Sequence, residues 1–183
     1  LGVEPVEFAW PRPYVAWVAN LKPDKQPEVC IPLAAGIVDL DVDVVMVGAA
    51  QVAAYAGFAA RADLPPNLHV LGGLPAPEAA GVLAGARLHV HTCRPEGFPN
   101  VFLQAWGAGI PSVSLEYDPA GVIARECLGI VAGGSVEGMT AAVRELLHDE
   151  SRRADLGARA RAFARRRGDL DENVAALDRF LAD

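Results

Sequence analysis

Short apolar runs alternate along this chain with segments of helical character, and that alternation constrains the fold more than any other feature. The run at 42–47, rich in β-branched residues and stopped by Gly48, reads as a strand buried on both faces. Further strands are predicted at 14–19, 68–71, 87–92, 112–115 and 129–132. Helices are predicted at 27–35, where Pro27 suits the first turn, and at 52–62, 77–84, 100–108 and 136–147. Residues 121–127 read as a helical turn or two. Strands that alternate with helices pair in parallel through crossover connections, and the helices cover both sheet faces. The expected fold class is therefore α/β: one three-layer α/β/α domain on a parallel sheet of about six strands, plus C-terminal helices. Ligands of such sheets bind at the carboxyl ends of the strands. The loops after Ala19, Gly48, Leu71, Thr92 and Leu115 are the places to look for chemistry.

Composition narrows the classes. Apolar residues make up 52% of the 183 and charged residues 21%. A chain of this size buries about 70% of its unfolded surface, so it needs no staples, and the apolar content excludes disorder. A net charge of −7 argues against a broad DNA or RNA surface, though not against a small pocket for phosphate. Cys30, Cys93 and Cys127 lie far apart with no CxxC, which reads as small core residues in a reducing compartment. No apolar run approaches the ~18 residues of a membrane span. The expected location is cytoplasmic. The first residue is Leu1 and no leader pattern follows it, so the chain is expected to be part of something longer.

Three parts are expected. Residues 1–13, with Pro5, Pro11 and Pro13, form an extended lead-in; 14–149 form the α/β domain; 150–183 form a helical tail packed on it. In the tail, Leu156, Ala160, Phe163 and Ala164 recur at helical spacing, so one face is buried. Seven of the sixteen basic residues fall between Arg152 and Arg167, mostly on the other face. They read as a solvated surface or as a contact with another domain or with acidic lipid headgroups. A break at Gly168-Asp169 precedes a second predicted helix.

Several motifs are absent: GxGxxG after the first strand, GxxxxGK[ST], HExxH and GxSxG. His89 and His91 share one face of a predicted strand but have no third ligand near in sequence, so no metal is expected. The informative loop is Arg94-Pro95-Glu96-Gly97-Phe98-Pro99-Asn100-Val101, which runs from a strand end into a helix. The N–H groups of Gly97, Phe98, Asn100 and Val101, with the positive end of the helix dipole, would form an anion site. The alternative is an ordinary turn capped by Asn100. Glu96 could accept hydrogen bonds from hydroxyls, and Gln104 lies four residues beyond Asn100 on the same helix face. Lys25, in the loop after the first strand, shares the carboxyl edge and could neutralise a phosphate.

The stretch RPEGFPNVFLQAWGAGIPSVS at 94–114 resembles the donor-site signature of the family 4 retaining glycosyltransferases, which have the GT-B fold. VANLKPDKQ at 18–26 is similar to that family's first-strand motif, and DPAGVIARECLG at 118–129 and the arginine-rich tail are also similar. The resemblance implies half of a GT-B enzyme: a Rossmann-like C-terminal domain that binds a nucleoside-diphosphate sugar. The family's E-x(7)-E pair falls on Glu96, which would contact the transferring sugar, and on Gln104, which departs from the pattern at the position that holds the ribose hydroxyls. Of the family's basic pair, Lys25 matches the lysine, while Asn20 stands where an arginine is usual.

The resemblance implies transfer of a hexose with retained configuration, with Lys25 and the loop amides stabilising the departing diphosphate and neither metal nor cofactor taking part. It also implies a missing N-terminal acceptor-binding domain, so the chain alone should bind donor weakly and transfer nothing. Peripheral membrane contact of the longer protein is compatible with this reading. Two alternatives stand beside it: a module of the same fold that has lost catalysis, suggested by Asn20 and Gln104, and another GT-B-like enzyme such as a nucleotide-sugar epimerase.

Overall fold

The computed structural model describes residues 4–94 and 97–168. Its sheet has six strands: β1 (Tyr14–Val18), β2 (Asp43–Val47), β3 (Leu68–Val70), β4 (Leu88–His91), β5 (Ser112–Ser114) and β6 (Gly129–Val131). Every pairing is parallel, in the order β3-β2-β1-β4-β5-β6. Six helices connect or follow them: α1 (Cys30–Ala35), α2 (Ala76–Gly85), α3 (Asn100–Gly107), α4 (Val122–Arg125), α5 (Val136–His148) and α6 (Glu150–Gly168). The predicted α/β class and the six-stranded parallel sheet are both present. The strand order reverses between β1 and β4, which opens a crevice at their carboxyl ends.

Period-two alternation sends side chains to both faces. Val15, Trp17, Val44, Met46, Val90 and Val113 pack against Leu33 of α1 and against Met139, Val143 and Leu146 of α5. On the other face Ala16, Val45 and Val47 meet Val82 and Leu83 of α2 and Ala105 of α3. Farther along that face, Phe102 and Trp106 of α3 pack with Ile123, Leu128, Ala160 and Phe163. All five residues of β2 are buried, as its β-branched run predicts. One of them is Asp43. Its carboxylate accepts from Trp10 Nε1 (2.9 Å) and pairs with Arg12, which ties residues 8–13 to the amino end of the sheet. Residues 4–13 of the lead-in therefore run without helix or strand but against the domain, and Val6 donates to the Pro77 carbonyl at the head of α2 (3.0 Å).

Two expectations fail. Residues 52–62 are not one helix but two single 3-10 turns, at Ala53–Tyr55 and Phe58–Ala60. Tyr55 and Phe58 are the buried side chains there, and a spacing of three suits the 3-10 period, while Gly57 lacks a side chain to carry a helix through. Cys127 is not a core residue. It lies exposed in the left-handed turn (φ 54°) that follows α4, whereas Cys30 and Cys93 are buried as expected.

The tail behaves as its spacing predicts. Leu156, Ala160, Phe163 and Ala164 are all buried in α6. Several of its arginines serve neighbouring helices. Arg161 donates to Ala108 O (2.6 Å) just past α3, and Arg153 donates to Leu146 O (2.8 Å) at the end of α5. Both satisfy carbonyls that a helix end leaves without a partner. Arg159 pairs with Asp155 (2.9 Å) and Arg166 with Glu126 (3.3 Å). No described helix is long and apolar enough to cross a membrane. The second tail helix expected after Gly168 lies outside the described residues.

Candidate functional site

The loops that leave β1 and β4 stand side by side at the crevice, and hydrogen bonds fasten them together. Thr92 Oγ1 donates to Lys25 O (2.6 Å), Gln26 Nε2 donates to Thr92 O (2.7 Å), and Arg94 N donates to Asp24 O (2.8 Å). Trp17 Nε1, buried under the sheet edge, donates to Thr92 Oγ1 (2.8 Å). Gln26 holds a left-handed backbone (φ 48°), sparsely used by residues with a β-carbon. Its bond to Thr92 offsets part of that strain.

Lys25 enters this junction with its side chain only 12% exposed, and its Nζ lies 3.8 Å from Asp24 Oδ2. Lys22 Nζ lies 3.2 Å from the same oxygen. Burial alone would raise the Asp24 carboxyl, but its bond to Lys22, its own backbone and the two lysine charges outweigh that and hold it below the usual carboxylate range. The junction thus gathers positive charge at the carboxyl edge of a parallel sheet.

Facing it is the approach to α3. Gly97 and Phe98 are exposed, and Tyr117 Oη donates to Gly97 O (2.9 Å), which fixes the loop from the β5 side. Asn100 does not cap the helix. Pro99 holds the N-cap position in an extended conformation (ψ 128°), and Asn100 is the first helical residue, exposed, with Val101 half-buried behind it. Proline has no polar side chain to offer the first-turn amides. Among the described residues the first N–H here with a backbone partner is that of Phe102, which donates to Pro99 O (3.2 Å). The first N–H groups of a helix have no partner within the helix.

The other candidates are placed less centrally. Asn20 is exposed at the start of the β1 loop. Gln104 is half-buried on α3, beside Leu103 and opposite Ala80 and Ala84 of α2. Glu96 lies outside the described residues. His89 is buried with Nδ1 3.0 Å from Ser112 Oγ, and Ser112 Oγ also accepts from Trp106 Nε1 (2.9 Å). His91 is buried against Phe102, with ring centroids 4.4 Å apart. Among the described residues no three His, Cys, Asp or Glu side chains come together as a metal site requires.

Sequence reasoning did not find Thr92, Gln26 or Asp24, the residues that join the two loops. A signal existed in Trp17: a buried indole N–H needs an acceptor. Which acceptor it meets depends on β1 and β4 being neighbours. Sequence reasoning did not find the role of Asp118 either. Its carboxylate accepts from Ile123 N (2.8 Å) and Ala124 N (3.1 Å) and caps α4.

The family described as glycosyl transferases group 1 matches residues 5–163. The chain belongs to that family. No curated protein matches it in sequence. Among solved structures, this group 1 glycosyltransferase chain resembles S. aureus TarM, in a complex with fondaparinux, alpha-GlcNAc-glycerol and UDP. The identity is 19%, the TM-score 0.76, and the match covers 98% of this chain and 36% of that one. It also resembles Anabaena HepE in complex with UDP and glucose (20% identity, TM-score 0.73, 92% of this chain and 48% of that one). A third likeness is to sucrose-phosphate synthase of Thermosynechococcus elongatus (19% identity, TM-score 0.75, 98% and 49%). At these identities the likeness shows the fold, that of the GT-B glycosyltransferases. The group 1 chain spans less than half the length of each of these relatives.

Proposed function

We propose that this chain is the donor-binding, C-terminal domain of a family 4 retaining hexosyltransferase, which takes its sugar from a nucleoside diphosphate in glycan or polysaccharide synthesis. The observation that carries the reading is the fastening of the Lys25 loop to the α3 loop through Thr92, at the point where the strand order reverses. A positive side chain and a set of open amides there face one crevice, as a diphosphate requires. UDP stands in the named complexes of TarM and HepE, which supports a nucleotide ligand in this fold.

In this reading Lys25 and the amides of Gly97, Phe98, Asn100 and Val101 hold the diphosphate. As the bond from the anomeric carbon to the β-phosphate oxygen breaks, the electron pair leaves with that oxygen, and these fixed donors stabilise the growing charge. No metal or cofactor is invoked. Glu96 orients the transferring sugar, Gln104 pairs with the ribose diol, Asn20 borders the phosphates, and Pro75 with the first residues of α2, 76–78, rims the base. The acceptor and the opposite wall come from a second, N-terminal domain reached through the lead-in at 1–13, so the chain alone transfers nothing. The location is cytoplasmic, with peripheral membrane contact open to the longer protein.

The test is calorimetry of the purified chain with UDP and with GDP. The reading expects saturable heat in the millimolar range or tighter for one of them, weakened about tenfold or more by Lys25→Ala, the loss of one charge-assisted contact. No heat from either nucleotide would count against it. Gln104 and Asn20, each an amide where the family carries a charge, favour one second reading, a module that keeps the fold and binds without turnover. Donor binding by the two-domain parent with no sugar transfer would select it.

A further inference from the structure

His91 is the last residue of β4, directly under the crevice, and only 2% exposed. Neither of its ring nitrogens has a hydrogen-bond partner among the described residues. Its neighbour His89, on the same strand face, has Nδ1 3.0 Å from Ser112 Oγ and only Nε2 without a partner, whereas both nitrogens of His91 lack one. An orphaned buried donor costs about 1–3 kcal/mol, so a native site that keeps one calls for an explanation.

The surroundings of the ring supply it. Phe102, in the first turn of α3, covers one side of the imidazole at 4.4 Å between centroids. Tyr117 lies beside it at 6.2 Å, and its hydroxyl holds Gly97 O. The charge that acts on the ring comes from the β1 loop, through Lys25. Each side of His91 is thus a part of, or an anchor for, the anion cradle. Among the described residues of that wall, His91 is the side chain with two buried nitrogens left unpaired.

We propose that His91 is a further binding residue of this site, whose ring N–H donates a hydrogen bond to the phosphate-bearing ligand held between Lys25 and the amides of α3. The inference rests on the reading of that crevice as a nucleoside-diphosphate site. Burial, and after it the charge of Lys25, push the His91 pKa down to about 3, so the unliganded ring is neutral at physiological pH and keeps one N–H to give. A neutral donor adds specificity without competing with Lys25 for charge.

The test uses UDP as probe on the whole chain. His91→Phe keeps the ring stack and removes the donor; His91→Asn keeps a donor N–H in a smaller side chain. Expected are a UDP affinity about tenfold weaker for His91→Phe, recovery to within about threefold for His91→Asn, and a shift of the His91 ring ¹⁵N resonances when UDP saturates the wild type. Unchanged UDP affinity in His91→Phe, or ring resonances that ignore UDP, would overturn the role of His91 and leave the diphosphate reading intact. No UDP binding by the wild type would overturn both. Should His91→Phe fail to fold, the ring resonances of the wild type decide alone.

Discussion

The hydroxyl of Thr92, at the end of β4, donates to the carbonyl oxygen of Lys25, in the loop after β1, at 2.6 Å. The two residues are 67 apart in sequence and follow the two strands that flank the reversal of strand order. Because Thr92 Oγ1 also accepts from Trp17 Nε1, one hydroxyl ties a core indole to both loops of the crevice. Thr92→Val keeps the shape and removes these bonds. It leaves the indole N–H buried without an acceptor, so stability falls by about 1–3 kcal/mol in urea unfolding. UDP affinity falls with it, since the lysine loop is no longer held.

A second prediction concerns the packing of the tail. Gly157 of α6 passes so close to the turn after α3 that a β-carbon there would lie 2.3 Å from Gly109 O. Backbone cannot yield as a flexible side chain can. Gly157→Ala therefore costs about 1–3 kcal/mol in equilibrium unfolding, although alanine is the better helix former. An unchanged unfolding midpoint would show that α6 does not need this close approach.

Stability should depend on pH through the buried histidines. Burial first, and then the charge of Lys25, lower His91 to about 3, and burial, with the charge of His91, also lowers His89. An unfolded histidine titrates near 6.5. Between the two values the unfolded chain binds the proton and the folded chain does not, so stability rises with pH across that window. It is fully present above about pH 6.5 and is lost as the pH falls toward the folded value. His91 alone accounts for about 2 kcal/mol between pH 6.5 and pH 5. Urea unfolding at the two pH values measures the loss, and His91→Phe should shrink it.

Thiol chemistry should separate the three cysteines. Cys127 is exposed, while Cys30 and Cys93 are buried, and burial pushes the Cys30 thiol far up, away from the reactive thiolate. A disulfide reagent at pH 8 should modify one thiol rapidly in the folded chain and the others only on unfolding. Cys127→Ser should abolish the fast phase.

The alternation of apolar runs and helical segments was enough to read the layers and all six strands, because period and punctuation are local properties. It did not contain the strand order. Nothing in the runs at 14–19 and 87–92 says that they are neighbours, yet that adjacency fastens the Lys25 loop to the loop after β4. The helix expected at 52–62 failed because alanine content is a weak prior, and the burial of Tyr55 and Phe58 overrode it. The arginines of α6 could be assigned to a helix face from sequence. Their use on Ala108 O and Leu146 O depends on where α3 and α5 end in space. Asn100 looked like a cap because asparagine favours that position, but Pro99 already holds it.

The central claim is that a diphosphate sits between Lys25 and the start of α3. The most direct measurement is a backbone amide NMR map of the chain titrated with UDP. The account predicts that the largest shifts fall on Gly97, Phe98, Asn100 and Val101, with Lys25 and Gln26 following on the same binding curve. Shifts confined to another surface, such as the hollow formed by Glu28, Tyr55 and Phe58, or no shifts at millimolar UDP, would contradict it.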